Sequence, residues 1–317
     1  MKNIVPFPVA TYIDSNPNRR EMKMQKKLQG IIVPLITPLE TPETIDRAGT
    51  ERMVRRVIEG GVNALFLLGS TGEGPALTAR ARCEFIDVAV AAAGGALPVL
   101  VGISGASGAE AVEAGKFAAR EGVSAVVAAP LCYLPATEAE LVCYYERLAG
   151  EVGLPVYLYN MPALTSVNIS PELAAKLADR ENIAGYKDSS GDLAAFRRAV
   201  KLLGGRPDFS LLIGPEHLTL PALQMGGDGG VNGGANLCPE LFAALFRAVR
   251  EGAPQERLSA IQREIVRLGE LYGSLPGAPG VIRGLKYELA RLGVIRNVLA
   301  FPALPLQNDP RSGRPGC

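Results

Sequence analysis

A lysine at the end of a short apolar segment is the residue of this chain with the clearest chemical potential. Lys187 ends the run Ile-Ala-Gly-Tyr-Lys, and a polar turn that opens a helical pattern follows it directly. Apolar surroundings disfavour the charged form of an amine and lower its pKa, and a neutral amine can attack a ketone to form a Schiff base. The simpler interpretation is a lysine that pairs with Asp188 or reaches water, and for a single lysine at a strand end that interpretation is favoured.

Two further segments place reactive groups where an apolar run ends. One is the run Gly-Ser-Thr-Gly-Glu at 69–73, where glycines let backbone N–H groups converge on an anion beside the hydroxyls of Ser70 and Thr71. The other contains Tyr157 and Tyr159, which share one face because alternate residues of a strand do so. A phenol there can pass a proton to or from an alcohol. Each motif alone also fits a turn or a core aromatic, but together they predict a site for a carboxylate beside a reactive lysine.

These groups need a scaffold that gathers the ends of several strands, and the pattern of the chain predicts one. From Gly30 onward a short apolar run, a turn and an amphipathic helical pattern recur about every thirty residues, as βα units require. The apolar runs are continuous, which indicates strands buried on both faces. The fold class is therefore α/β, a (β/α)8 TIM barrel, which collects functional residues at the carboxyl ends of its strands. The predicted strands cover residues 31–36, 64–68, 99–103, 125–129, 156–159, 183–187, 210–213 and 229–232.

The chain divides into four predicted parts. Residues 1–29 form an N-terminal extension without the apolar region of a secretory signal, and residues 30–250 form the barrel. Residues 251–305 carry further helical patterns, interpreted as a C-terminal helical extension, and residues 306–317 form a polar tail. Since no apolar stretch approaches the length that spans a membrane, we expect a cytoplasmic protein that does not bind a membrane.

The composition argues against several other classes of protein. Lys and Arg total 33 against 32 acidic residues, so nothing indicates a surface for nucleic acid. The five cysteines are scattered without CxxC spacing, which suits a reducing compartment better than disulfides or a zinc site. The single histidine, His217, excludes a histidine-rich metal site and argues against a Ser-His-Asp triad. A dinucleotide fingerprint and a P-loop are both absent.

Three motifs of the chain resemble those of the N-acetylneuraminate lyase and dihydrodipicolinate synthase superfamily. They lie at residues 64–73, 159–162 and 185–188, and the resemblance covers about residues 28 to 300. It implies a pyruvate-dependent class I aldolase in which Lys187 forms a Schiff base with pyruvate or another 2-keto acid. It also implies a homotetramer built as a dimer of dimers. Schiff-base chemistry of this kind needs no metal and no dissociable cofactor.

The resemblance also implies roles for individual residues. Tyr159 is expected to move a proton at the reacting carbon, while Ser70 and Thr71 are expected to hold the carboxylate of the keto acid and join a proton relay. The glycines of the same turn and a backbone carbonyl of the last strand complete the expected substrate-binding group, which consists of Gly69, Gly72 and Val231.

One position departs from the pattern in a way that narrows the substrate. Dihydrodipicolinate synthases carry an arginine after the fifth strand that binds a second carboxylate, and this chain has Leu164 at that place. Because leucine cannot replace a bidentate guanidinium, the predicted activity is cleavage of a 2-keto-3-deoxy sugar acid or a sialic-acid-like substrate. Dihydrodipicolinate synthesis from pyruvate and aspartate semialdehyde, dehydration of a 2-keto-3-deoxy acid, and a non-catalytic keto-acid sensor on the same barrel remain alternatives.

The end of the seventh strand matches the region where sugar lyases bind the hydroxyls of their substrate. Gly214, Glu216 and His217 are therefore candidate substrate-binding residues, and Ser189, two positions after the lysine, could join them. The alternative for this segment is a helix N-terminus, with a proline in its first turn and an acidic side chain that favours the helix dipole.

A second departure concerns the proton relay. The family usually has a tyrosine two residues beyond the proline that ends the fourth strand. By strict register Cys132 occupies that place, and Tyr133 lies one residue later. Either residue is a possible member of the relay, although a thiol is a weak donor and is usually inert when buried.

Overall fold

Eight parallel strands close into a barrel in the computed structural model, which describes residues 27–273 and 278–307. The strands are β1 (Gly30–Pro34), β2 (Ala64–Leu67), β3 (Val99–Gly102), β4 (Ala125–Ala128), β5 (Val156–Asn160), β6 (Ile183–Asp188), β7 (Ser210–Ile213) and β8 (Gly229–Val231). Each strand pairs with the next in sequence, and β1 pairs with β8 to close the barrel. The TIM barrel predicted from the sequence is confirmed.

Helices cover the outside of the barrel and form its C-terminal extension. They are α1 (Arg47–Glu59), α2 (Ala79–Ala93), α3 (Gly108–Arg120), α4 (Glu138–Glu151), α5 (Pro162–Thr165), α6 (Pro171–Ala178), α7 (Leu193–Leu203), α8 (Thr219–Gln224), α9 (Pro239–Arg250), α10 (Gln255–Gly273) and α11 (Ala278–Arg291). A short hairpin, Leu39–Thr41 with Thr44–Ile45, lies between β1 and α1. Helices α10 and α11 pack against each other in the segment predicted as an extension. Most of the predicted N-terminal extension and tail lies outside the described residues.

The turn after β6 is fixed by side chains of its own sequence. The Asp192 carboxylate accepts hydrogen bonds from the backbone N–H groups of Ala194 and Ala195, at 2.9 and 3.0 Å, and so caps the N-terminus of α7. The carboxylate of Asp188 accepts from the N–H and the hydroxyl of Ser190 in the same turn. The chain therefore passes from the end of β6 into α7 through a turn with defined geometry.

Side chains that point into the barrel form a small core of their own. It includes Phe66, Tyr157, Tyr159, Leu212 and Val231, whereas a larger apolar cluster fills the space between strands and helices. Strand β6 places Gly185 opposite Tyr157 and Lys187 opposite Tyr159. A Cβ atom at Gly185 would clash with the ring of Tyr157, so the glycine lets that ring fill the barrel. Because alternate residues share a face, Lys187 points to the same interior.

Candidate active site

A cavity of about 700 Å³ opens at the carboxyl ends of the barrel strands. It brings together the side chains that the sequence singled out on different strands. Lys187 comes from β6, Tyr159 from β5 and Val231 from β8, while Ser70 and Thr71 come from the turn after β2. This arrangement places an amine, a phenol and two hydroxyls around one space.

Lys187 is buried among aromatic rings. Its Nζ atom lies 3.8 Å from the centroid of the Tyr159 ring and 4.9 Å from that of the Phe66 ring. Burial lowers the pKa of Lys187 below its ordinary value, against the opposing influence of Tyr159. The lowered pKa makes the neutral amine, the form that attacks a carbonyl carbon, more accessible than in a lysine exposed to water.

Asp188 is the alternative partner that the sequence allowed for this lysine, and its carboxylate is occupied elsewhere. It accepts hydrogen bonds from Asn160 Nδ2 at 3.0 Å, from Ser190 N at 3.0 Å and from Ser190 Oγ at 3.1 Å. Neighbouring residues of a strand point to opposite faces, so Asp188 points out of the barrel while Lys187 points in. No ion pair joins these two residues in the part of the chain that the structure describes.

The phenol of Tyr159 links Lys187 to the turn at residues 69–73, which carries Ser70 and Thr71 and is called the hydroxyl-bearing turn below. Its oxygen lies 3.3 Å from Ser70 Oγ, within hydrogen-bond distance. Burial alone would raise the pKa of Tyr159, but the charge of Lys187 and hydrogen bonds with Ser70, Lys187 and Ser189 outweigh it and lower the pKa. A lowered pKa brings the phenol closer to neutral pH, where a side chain serves best as an acid–base group.

The turn after β2 has an unusual backbone. The sequence predicts a strand to residue 68, but the strand ends at Leu67 because Leu68 adopts a left-handed conformation with φ of 57°. A Cβ atom at Gly72 would lie 2.7 Å from the carbonyl oxygen of Leu35, and the Gly72 carbonyl accepts a 2.6 Å hydrogen bond from Thr37 Oγ1. Gly72 therefore packs the turn against the segment after β1, and it is not among the residues that line the cavity.

A second cavity of about 240 Å³ lies on another side of Ser70 and Tyr159. Gly69 and Cys132 also line it. Tyr133 is 91% exposed, has a left-handed φ of 81°, and lines neither cavity. Of the two candidates for the proton relay, Cys132 lines the same small cavity as Tyr159, whereas Tyr133 lies in solvent because the loop after β4 turns its side chain outward.

Some of the candidate substrate-binding residues near the end of β7 line the cavity and others do not. His217 is exposed and is not a lining residue, whereas Glu216 lines the cavity with its carboxylate held by the protein. Glu216 Oε1 accepts a 2.6 Å hydrogen bond from Gly234 N, and Oε2 accepts one from the hydroxyl of Tyr272. Burial raises the pKa of Glu216, against these hydrogen bonds. The candidates from this group that line the cavity are Ser189, Gly214 and Glu216.

An ion pair that the sequence analysis missed joins the hydroxyl-bearing turn to the C-terminal helices. Glu73, at the end of the turn, pairs with the fully buried Lys286 of α11. Glu73 Oε1 also accepts a 2.8 Å hydrogen bond from Ala300 N, and Lys286 Nζ donates a 2.7 Å hydrogen bond to Val298 O. Burial lowers the pKa of Lys286, against the opposing charge of Glu73. In the sequence, this pair is indicated only by the position of Lys286, which follows Leu285 on the apolar face of a predicted helix.

The described residues contain no group of three or more His, Cys, Asp or Glu side chains placed to hold a metal ion. None of the described helices combines the length and the apolar character needed to cross a bilayer.

Comparison with known proteins gives the family. Residues 27–313 match the dihydrodipicolinate synthetase family. The 4-hydroxy-tetrahydrodipicolinate synthase of Chlorobium phaeobacteroides (strain BS1) is 33% identical over 287 residues, 90% of this chain and 94% of that protein. The putative 2-dehydro-3-deoxy-D-gluconate aldolase YagE of Escherichia coli K12 is 35% identical over 225 residues, 70% of this chain and 74% of that protein.

Solved structures agree with this result. The dihydrodipicolinate synthase of Bacteroides thetaiotaomicron matches with a TM-score of 0.85 and 37% identity, over 89% of this chain and 95% of that one. YagE of E. coli K12 in complex with pyruvate matches with a TM-score of 0.84 and 31% identity, over 89% and 94% of the two chains. The chain therefore belongs to the dihydrodipicolinate synthetase family of lyases, and it is an enzyme.

Proposed function

We propose that the protein is a Schiff-base aldolase that cleaves a 2-keto acid to pyruvate and an aldehyde. The observation that carries this proposal is the buried amine of Lys187 against the ring of Tyr159, 3.8 Å from its centroid. The amine attacks the keto carbon and loss of water gives an imine, which withdraws electrons once it is protonated. The bond between C3 and C4 then breaks as the C4 hydroxyl loses its proton. The resulting enamine is protonated at C3 and hydrolysed to pyruvate, which restores the amine.

The other lining residues take roles that fit this sequence of steps. Tyr159 accepts the proton of the C4 hydroxyl during cleavage, and Ser70, at 3.3 Å from its oxygen, passes the proton on. The hydroxyls of Ser70 and Thr71 hold the substrate carboxylate together with backbone N–H groups of the turn. Val231 lines the same cavity, and its backbone carbonyl is assigned to the keto-acid end of the substrate.

The sequence predicts a sugar acid as the substrate, and two observations support an aldolase over a synthase. Leu164 lines the cavity, where a second carboxylate would find no guanidinium from this position. YagE, whose name describes a sugar-acid aldolase, is among the relatives. Dihydrodipicolinate synthesis remains the second candidate because a relative named 4-hydroxy-tetrahydrodipicolinate synthase matches 90% of the chain. A dehydratase would form no pyruvate, and a sensor would bind pyruvate without turnover.

Borohydride reduction in the presence of pyruvate tests the proposal. We expect the reduced pyruvyl group to add to the intact mass of the protein, and peptide mapping to locate it on Lys187. Purified YagE, which binds pyruvate in its solved structure, serves as the positive control. If YagE is labelled and this protein is not, the Schiff-base proposal is wrong.

Replacing Tyr159 by phenylalanine is expected to lower kcat/KM for cleavage by about 10²- to 10⁴-fold, the usual contribution of a positioned acid–base group. The loss should exceed any loss in the rate of borohydride trapping, because Lys187 keeps its amine. Pyruvate release, followed with lactate dehydrogenase, measures kcat/KM for cleavage, and intact mass measures the rate of borohydride trapping. Tyr157, whose hydroxyl lies 3.4 Å from Ser210 Oγ deep in the barrel, provides the matched control. Equal effects of Tyr159→Phe and Tyr157→Phe on kcat/KM would contradict the role given to Tyr159.

A further inference from the structure

Away from the keto-acid groups, the cavity is lined mainly by apolar side chains. They come from α5, from α11 and from the segment that follows α11, and we call this surface the apolar wall. Its members are Leu164, Val281, Ile282, Leu299, Phe301 and Pro302.

Several members of the apolar wall are exposed although they are large. Phe301 is 73% exposed, Leu164 is 42% exposed and Val281 is 36% exposed. Folding gains little from apolar groups left in water, and contiguous apolar surface of this kind marks binding grooves. Because these side chains border the cavity that holds Lys187, the ligand they would cover is the substrate itself.

Polar contacts behind the apolar wall hold it in place. Ala300 N donates to Glu73 Oε1 at 2.8 Å and Arg283 Nε donates to Leu304 O at 3.0 Å. Lys286 Nζ donates to Val298 O at 2.7 Å. The wall is thus formed before any ligand arrives, and a preformed surface does not have to be ordered on binding.

Few polar side chains remain in the cavity to bind a chain of hydroxyls. Glu73 is paired with Lys286, and both oxygens of Glu216 already accept hydrogen bonds from the protein. Tyr272 donates its hydroxyl to Glu216. A polyol placed here would meet few fixed hydrogen-bond partners, whereas an apolar group would remove the exposed side chains of the apolar wall from water. Apart from the groups assigned to the keto acid, Ser189 and Arg283 are the polar side chains left in the lining.

We infer that the aldehyde half of the substrate is an apolar group with few hydroxyls, seated on the apolar wall. The inference rests on the proposed aldolase function and narrows it. It retains the 2-keto acid and its cleavage to pyruvate, and it argues against the polyol chain of the predicted sugar acid. Specificity then comes from contact with Leu164, Val281 and Phe301, and from the small number of polar side chains left to bind a polyol.

Condensation with pyruvate, the reverse of cleavage, tests the inference directly. The enamine carbon attacks the aldehyde carbon, a C–C bond forms, the new alkoxide takes a proton, and water releases the product from Lys187. Benzaldehyde is compared with the full set of tetrose stereoisomers, which have the same number of non-hydrogen atoms and carry hydroxyls in place of the ring. We expect kcat/KM for benzaldehyde to exceed that for every tetrose by about tenfold or more.

Borohydride trapping separates the two ways in which this test can fail. If pyruvate labels Lys187 and any tetrose equals or exceeds benzaldehyde, or benzaldehyde does not react, the inference is overturned and the aldolase proposal stands. If pyruvate does not label Lys187, the aldolase proposal itself fails.

A pair of valines gives a matched test of the apolar wall. Val281→Thr adds a hydroxyl with little change in shape, and we expect it to lower kcat/KM for benzaldehyde by about three- to tenfold. Trapping of pyruvate on Lys187 should be unchanged. Val266 is 43% exposed on α10 and is not a lining residue, so Val266→Thr should leave both measurements unchanged. Equal effects of the two variants on benzaldehyde would overturn the inference.

Discussion

Replacing Lys187 by methionine is expected to lower kcat/KM for cleavage by about four orders of magnitude or more, because the covalent route is lost with the nucleophile. Methionine keeps an unbranched, buried side chain against the rings of Tyr159 and Phe66, so the barrel should keep its stability. Pyruvate release measures the activity, borohydride trapping measures the adduct, and thermal unfolding measures the fold. Lys201→Met, at an exposed position of α7, is the control for loss of a lysine.

The pH dependence of borohydride trapping of pyruvate tests the same role of Lys187. The neutral amine is the reactive form and it predominates above the pKa of Lys187, so the rate should rise with pH and then level off. Because burial lowers that pKa, the midpoint should fall below the ordinary range for a lysine. A Lys187→Met variant that still forms the adduct, or a midpoint in the ordinary range, would contradict the assignment.

The second large effect is expected on stability, from the buried pair of Glu73 and Lys286. Lys286→Met leaves the Glu73 carboxylate buried without a cation, and Glu73→Gln leaves the Lys286 ammonium without an anion. Breaking a buried ion pair by removing one partner lowers the free energy of unfolding by about 3–5 kcal/mol. Equilibrium unfolding in urea measures this loss.

The double variant Glu73→Gln/Lys286→Met carries neither charge, so its loss should be smaller than the sum of the two single losses. A surface pair, Arg147 with Glu151 at 2.8 Å on α4, is the control, and breaking it should have little effect. If each single variant loses no more free energy of unfolding than the surface control, or if the two losses are additive in the double variant, the buried pair does not hold the turn as described. The single variants should also lower kcat for cleavage, because Glu73 ends the turn that carries Ser70 and Thr71.

The parts of the fold that depend on local pattern could be predicted from the sequence. The continuous apolar runs identify the barrel strands, and their order along the chain identifies the barrel. The sequence pattern ends β6 at Lys187, whereas the strand continues by one residue to Asp188. The pattern ends β2 at residue 68, one residue too late, because Leu68 adopts a left-handed backbone conformation. The sequence does not indicate a left-handed conformation at a leucine, since leucine usually adopts β-region or helical conformations.

The parts of the candidate site that depend on distant contacts could not be predicted. The Glu216 carboxylate is held by Tyr272, 56 residues later, and Glu73 is held by Ala300, 227 residues later. No local pattern specifies such pairs. The same holds for Tyr133, whose exposure follows from the path of the loop after β4.

The pairing of Glu73 with Lys286 also sets an order of events during synthesis of the chain. All eight barrel strands end by Val231, so they leave the ribosome before Lys286 does. Until Lys286 and Ala300 are synthesised, the turn that carries Ser70 and Thr71 lacks its buried cation and the backbone donor of Ala300. The candidate site therefore depends on the last helix, α11, and on the segment after it, which are synthesised later than every strand of the barrel.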